Sequence, residues 1–179
     1  MVSKLNIENK KRVLLILRHG KSVLKEEELS DYDRPLNQQG KNQAISTGKL
    51  IRNTDLVPDY IISSTARRAI ETSEIVAKFL DYNGKIDLNP SLYHQNSEKN
   101  YINVLSDILD EYYKVLVVGH NPSVEDLIEK LTNRMEIMRT CSLARIDIKI
   151  KSWREIIKYG NDIIEFCKIW HPDVKDEYI

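Results

Sequence analysis

Four candidate strands, at residues 13–17, 60–63, 85–88 and 114–118, are separated by longer stretches whose apolar residues recur every three to four positions. Short apolar runs of this kind form buried strands, and the longer period forms helices with one apolar face. Their alternation constrains the chain more than any other feature, because strand, helix, strand units pack as an α/β fold with a largely parallel sheet. The spacing predicts a first helix over 38–52, with Ala44, Ile45, Gly48 and Ile51 on one face. A second over 65–80 buries Ala66, Ala69, Ile70, Ser73, Val76, Ala77 and Leu80. A third starts near Ser97, a capping residue, and carries Tyr101, Ile102, Leu105, Ile108, Leu109 and Tyr112. A fourth is capped by Asn121, has Pro122 at its first position and Glu125 and Asp126 at its positive end, and buries Val124, Leu127, Ile128 and Leu131. Beyond Ser142, near-alternation in Leu143, Ile146, Ile148 and Ile150, and again over 163–170, predicts strands that complete the edges of the sheet.

Composition narrows the class of function. The 27 basic and 27 acidic residues cancel, so no global field recruits nucleic acid or an anionic membrane, and any positive site is local. With 179 residues, 41% of them hydrophobic, and no linker, repeat or low-complexity tract, the expectation is a single domain over 1–179. Lys10, Lys11 and Arg12 before an apolar run imitate a secretory signal, but the run stops at Arg18 and reads as a buried strand. No stretch is long enough to span a bilayer, and Cys141 and Cys167 show neither a disulfide framework nor Cys-x-x-Cys spacing. The expected compartment is the cytoplasm. The sequence leaves the oligomeric state open.

The chemistry gathers where strands end. Arg18, His19 and Gly20 follow the first strand, Arg68 lies in the first turn after the second, and His120 follows the fourth. In a parallel sheet these carboxyl ends share one edge, where helix N-termini offer backbone donors to anions. Two guanidinium groups there form bidentate clamps for phosphoryl oxygens, and they lower the pKa of a neighbouring imidazole, which keeps it neutral and nucleophilic.

Three ordered motifs carry a resemblance: Arg18-His19-Gly20-Lys21-Ser22; Ser63-Ser64-Thr65-Ala66-Arg67-Arg68-Ala69 with Glu71-Thr72; and Gly119-His120-Asn121-Pro122. They resemble the histidine phosphatase superfamily, and within it the SixA-like phosphohistidine phosphatases. That pattern is echoed by Asp33-Arg34-Pro35-Leu36 with Gly40, by Leu92-Tyr93-His94, and by a tail with Trp153, Gly160, Phe166 and Pro172. The resemblance implies a three-layer α/β/α sandwich with a mostly parallel central sheet, phosphoglycerate mutase-like. It implies His19 as the nucleophile that becomes phosphorylated, Arg18 and Arg68 as phosphate clamps, and His120 as the second imidazole. Gly20, Lys21, Ser22 and Asn121 are then the expected substrate contacts. Arg67, one helical step of about 100° from Arg68, faces the rim or solvent. Thr65 stands where the family has proline, a change that removes no charge.

Longer relatives in the superfamily carry a glutamate general acid in a region that reads Ser91-Leu92-Tyr93-His94-Gln95 here, without a carboxylate. A proton donor is worth about 100- to 10,000-fold to an alkoxide leaving group, whereas an imidazole departs without one. The reading is therefore a metal-independent, cofactor-free phosphatase acting on phosphohistidine in a protein. Its alternatives are a phosphatase of a small phosphorylated metabolite and, in another class, a non-catalytic module that recognises phosphate. Asp31 and Asp33 are candidate proton relays, and His94 a candidate rim residue. A metal hydrolase lacks ligand pairs such as His-x-x-x-His, and its dication would be repelled by the arginines beside both motif histidines. A cysteine phosphatase fails as well, because Cys141 reaches Arg145 after only Ser142, Leu143 and Ala144.

Overall fold

A computed structural model describes residues 11–24, 29–93, 98–157 and 163–172. Six strands, β1 (Arg12–Arg18), β2 (Tyr60–Ser64), β3 (Ile86–Asn89), β4 (Lys114–Gly119), β5 (Leu143–Ile148) and β6 (Ile164–Trp170), form one sheet in the order β3-β2-β4-β1-β5-β6. The first four are mutually parallel, while β5 runs antiparallel to β1 and β6 antiparallel to β5. Helices α1 (Gln38–Asn53), α2 (Arg67–Phe79), α3 (Glu98–Ser106) and α4 (Ser123–Thr132) cover both faces.

Alternation along the strands assigns each helix its face. Leu14, Ile16, Val115 and Val117 point to one side, where they pack with Tyr101 and Leu105 of α3, Val124, Leu127 and Ile128 of α4, and Trp153. Val13, Leu15, Leu17, Leu116 and Val118 point to the other, against Ala44 and Ile51 of α1 and Ala69 and Val76 of α2. The result is a three-layer α/β/α sandwich. Truncating a fully buried leucine such as Leu116 to alanine costs about 2–5 kcal/mol, so each layer is fixed by its own core.

The elements depart from the periodicity in four places. α2 starts at Arg67, with Ala66 in the capping position. α3 stops at Ser106, whose hydroxyl donates to the Asn103 carbonyl at 2.7 Å and competes with continuation of the helix. Leu109 is consequently exposed, and Tyr112 stacks on Tyr60 with ring centroids 4.6 Å apart. α4 starts at Ser123, with Pro122 in the capping position; Asn121 does not cap it, since its amide nitrogen donates to Glu125 and to the Met138 carbonyl while its Oδ1, the atom a cap would use, has no partner among the described residues. β5 is an interior strand, so the edges are β3 and β6. Ser97, the expected start of the third helix, lies outside the described residues.

Register brings the motif residues into step. Arg18 pairs with Gly119, so the next residues on the two central strands, His19 and His120, emerge side by side at the carboxyl edge. The His19 N–H donates to the Gly119 carbonyl at 3.0 Å, which extends the ladder by one bond beyond the strand.

Candidate active site

The site is assembled on backbone that approaches too closely for ordinary side chains. A Cβ on Gly40, in the first turn of α1, would lie 2.1 Å from the Lys21 carbonyl oxygen, and one on Gly119 would lie 1.9 Å from the Tyr101 hydroxyl. Glycine is needed at both positions for space. Asn37 caps α1 by accepting from the Gly40 N–H at 2.9 Å, which holds this helix end against the loop that follows His19.

His19 is buried, and both its ring nitrogens are engaged: Nδ1 lies 2.7 Å from the Gly20 carbonyl, and Nε2 lies 3.1 Å from Nε of Arg68. A carbonyl and a guanidinium settle the tautomer between them, since the first only accepts and the second only donates. Nδ1 therefore carries the proton, and Nε2 holds the lone pair. Burial, with Arg68, Arg18 and Arg34 nearby, lowers the pKa of His19 to about 3, so the ring is neutral across the physiological range.

Arg68 is held in place by the loop after β1. Its Nη1 donates to the Asp31 carbonyl oxygen at 2.6 Å and its Nη2 to Asp31 Oδ2 at 3.0 Å. The other oxygen of the same carboxylate receives Nη2 of Arg34 at 2.9 Å, and the Tyr93 hydroxyl donates to Oδ2 at 3.2 Å. Partial burial pushes the Asp31 pKa up, but the charges and hydrogen bonds of Arg68 and Arg34, with the Tyr93 hydroxyl, outweigh it and hold the carboxyl below its ordinary value.

Around the second imidazole the bonding is sparser. His120 is buried with its ring centroid 4.9 Å from that of His19, and Tyr93 meets it edge-on at 5.7 Å. Its Nε2 lies 2.8 Å from the Ser64 hydroxyl, while its buried Nδ1 has no partner among the described residues. Burial lowers its pKa, with further lowering from His19, Arg68 and Arg18. Arg18 donates through Nη1 to the Met138 carbonyl at 2.7 Å and leaves Nε without a partner there.

These groups line a cavity of about 350 Å³. A larger groove of about 510 Å³ runs along β3 beside Tyr60, Asp87 and Asp107, away from the motif residues. The motif residues stand at the smaller one: of the five buried side-chain polar atoms without a partner among the described residues, four belong to residues that line it, namely Arg18 Nε, Arg34 Nε, His120 Nδ1 and Asn121 Oδ1. Buried polar atoms are normally paired, and three unpaired nitrogens in residues around one cavity, two of them on guanidinium groups, mark a candidate place for an anion.

Arg18, His19, Arg68 and His120 thus line one cavity, joined by Lys21, Ser22, Asp31 and Asn121. Gly20 is not on the lining. Its carbonyl takes the His19 proton and its N–H donates to Thr72 at 3.0 Å, so it orients the imidazole without touching the cavity. Asp33 is not on the lining either, because its carboxylate accepts from Ser30 within a surface turn. Asp31 lines the cavity, but as an ion-paired carboxylate it has no proton to give. Arg67 is exposed in an ion pair with Glu71, and His171 sits 2.7 Å from the Ser142 hydroxyl. His94 lies outside the described residues. The chemistry argued from sequence missed Arg34, Ser64 and Tyr93. Arg34 stands in the Asp33-Arg34-Pro35-Leu36 segment, where a guanidinium before a proline signals a fixed loop, but its partner three residues upstream is visible only in three dimensions. Among the described residues there is no group of three or more His, Cys, Asp or Glu side chains able to hold a metal ion, and no helix is long and apolar enough to cross a membrane.

The sequence pattern of the histidine phosphatase superfamily, branch 1, matches residues 14–96. An uncharacterized chloroplastic protein of Arabidopsis thaliana is 27% identical over 157 residues, covering 80% of this chain and 70% of its own. A SixA protein from Agrobacterium tumefaciens superposes with a TM-score of 0.68 at 26% identity, over 76% of this chain and 92% of its own. The protein histidine phosphatase SixA in complex with tungstate shares the fold with a TM-score of 0.73 at 21% identity, over 87% of this chain and 95% of its own. Over residues 14–96 the chain is similar to the histidine phosphatase superfamily. Its structural neighbours include SixA proteins and a mycobacterial glucosyl-3-phosphoglycerate phosphatase, which share this fold.

Proposed function

We propose that the protein removes phosphoryl groups through a phosphohistidine intermediate at His19, and that its substrate is phosphohistidine carried on another protein. One observation supports this reading above the rest: the only carboxylate lining the cavity among the described residues, Asp31, is held ionised between Arg68 and Arg34. It cannot protonate a leaving group. A phosphohistidine protonated at its distal ring nitrogen departs as neutral imidazole and needs no such donor, whereas an alkoxide would.

The transfer balances simply. The lone pair on His19 Nε2 forms a bond to phosphorus, the substrate's own P–N bond breaks, and its electron pair returns to the substrate imidazole. His19 becomes cationic at that point, with its Nδ1 proton held by the Gly20 carbonyl. Water then attacks phosphorus, the bond to His19 breaks, and neutral imidazole and orthophosphate remain. Arg68 must leave Nε2 for a phosphoryl oxygen as the substrate arrives, because its N–H lies on the attacking lone pair in the resting site. Arg18, Arg34 and His120 complete the oxyanion cradle with their unpaired nitrogens. Such preorganised donors, not covalent chemistry, do most of the work in phosphoryl transfer.

The test compares a phosphohistidine peptide, a sugar phosphate and an aryl phosphate with the purified protein. Fastest turnover is expected on the peptide, with label trapped on His19 by rapid quenching. Much faster cleavage of either ester would move the assignment to a metabolite phosphatase, and binding of all three without turnover would make the protein a phosphate-recognition module.

A further inference from the structure

We infer that Ser64 is a positioning residue that fixes the tautomer of His120, leaving Nδ1 as the N–H donor offered to a bound phosphoryl oxygen. This rests on the reading of the cavity as a phosphoryl site. Ser64 ends β2, is fully buried, and among the described residues has two polar neighbours at its hydroxyl: the Ala66 N–H at 3.3 Å and His120 Nε2 at 2.8 Å. The Ala66 N–H can only donate. The hydroxyl oxygen therefore accepts from the backbone, and its own proton goes to the one acceptor beside it, the lone pair of His120 Nε2.

The reverse arrangement is costly twice over. If Nε2 carried the proton, the Ser64 hydroxyl hydrogen would be buried without an acceptor, and the bare Nδ1 lone pair would face the anion that the guanidinium groups attract. With Ser64 donating, both problems disappear, and the one buried ring nitrogen without a partner becomes a donor. The neighbours that face this ring are His19 at 4.9 Å, the edge of Tyr93 at 5.7 Å, and the charges of Arg18 and Arg68. None supplies an acceptor that would stabilise a proton on Nε2.

The two imidazoles then share one tautomer but present opposite nitrogens. His19 spends its Nδ1 proton on the Gly20 carbonyl and keeps a lone pair for phosphorus. His120 spends its Nε2 lone pair on Ser64 and keeps a proton for oxygen. One ring is thereby a nucleophile and the other a donor, although both are neutral.

The experiment is a two-bond nitrogen–proton correlation spectrum of the full, nitrogen-15-labelled chain at neutral pH, for wild type and for Ser64→Ala. In the wild type His120 is expected to be neutral with its proton on Nδ1; in Ser64→Ala the proton redistributes toward Nε2. Turnover of the variant is expected to fall about tenfold, less than the roughly 100- to 1,000-fold lost when such a donor is removed outright. Its KM should stay within about twofold, since the guanidinium groups that bind phosphate are untouched. A proton on Nε2 in the wild type, or a tautomer unchanged in Ser64→Ala, overturns the assignment. The wild-type spectrum decides even if the variant folds poorly. The expected spectra in a protein without phosphatase turnover would refute the proposed function and leave the role of Ser64 standing.

Discussion

The two histidines at the carboxyl edge, a ring's width apart, are held in opposite ways. In one half of the site, His19 and Arg68 are saturated: both ring nitrogens and every guanidinium nitrogen of Arg68 have a partner within the protein. In the other half, His120, Arg18 and Asn121 each keep a buried polar atom unpaired among the described residues. A ligand must therefore break a bond to reach the first half and completes bonds when it reaches the second. Unpaired buried groups cost about 1–3 kcal/mol each, and an oxyanion that satisfies them recovers that cost on binding. Under the proposed function, the saturated half would keep His19 aligned and unreactive until a phosphoryl group draws Arg68 away. The unsaturated half is what makes drawing it away favourable.

Removing one imidazole at a time breaks this comparison most sharply. His19→Ala is expected to lower turnover by about 10,000-fold or more and to abolish phosphoryl label on the protein, because no other group can form the intermediate. His120→Ala should cost only about 100- to 1,000-fold, the range for losing one preorganised donor. It should still acquire label on His19, more slowly. Rapid-quench labelling of the two variants measures both, and label persisting in His19→Ala would remove His19 from its role.

A smaller effect is expected from the carboxylate that saturates the first half. Asp31→Asn keeps the shape of the side chain but removes the charge that Arg68 and Arg34 both bind. Arg68 then has less to hold it beside His19 and more to gain from a free anion. Turnover should fall about tenfold, as for the loss of a charge-assisted contact, while orthophosphate inhibits at lower concentration. Product inhibition measured with both proteins separates this from simple misfolding. If the inhibition is unchanged, Asp31 does not compete with phosphate for the guanidinium groups.

Much of this arrangement is legible in the amino-acid sequence alone. The strands at 13–17 and 114–118 are short, apolar apart from Lys114, and lead into Arg18 and into Gly119-His120, so the shared edge follows from the alternation itself. What the pattern does not carry depends on partners far away in sequence. The apolar stripe of α3 runs on past its end at Ser106 to Tyr112, which instead stacks on Tyr60 of β2, far upstream in the chain. Asn121 has the right type and place for a cap, yet the Met138 carbonyl, 17 positions on, takes its amide. The fixing of Arg68 by Asp31 spans 37 positions, and the contact of Ser64 with His120 spans 56. Local pattern reports which face a residue occupies; it does not report which long-range acceptor claims its proton.

Acid should weaken the fold through these same rings. In an unfolded chain a histidine titrates near 6.5, whereas folded His19 titrates at about 3 and His120 is lowered as well. Between those values the unfolded state binds more protons, so stability is fully present above about pH 6.5 and is lost as pH falls toward 3. Denaturation in urea at about pH 7 and about pH 5 should show lower stability at the acid value, and His19→Asn should flatten that difference. An equal slope in the variant would mean that other groups carry it.

The smallest expected effect concerns the residue that ties the two halves together. The Tyr101 hydroxyl accepts from the His120 N–H at 3.2 Å and donates to the Leu92 carbonyl at 3.0 Å. Leu92 precedes Tyr93, which bonds Asp31 and meets His120 edge-on. Burial raises the pKa of Tyr101, so it keeps its proton and both bonds. Tyr101→Phe keeps the ring in the core and removes only the hydroxyl, leaving a buried N–H and a buried carbonyl unpaired. The expected loss is about 1–3 kcal/mol of stability, with turnover down only severalfold, because the catalytic groups themselves remain. Equilibrium denaturation measures the first and steady-state kinetics the second. Full stability in Tyr101→Phe would mean that the Leu92–Tyr93 segment and the His120 backbone are fixed independently, and that the saturated and unsaturated halves are not coupled through this hydroxyl.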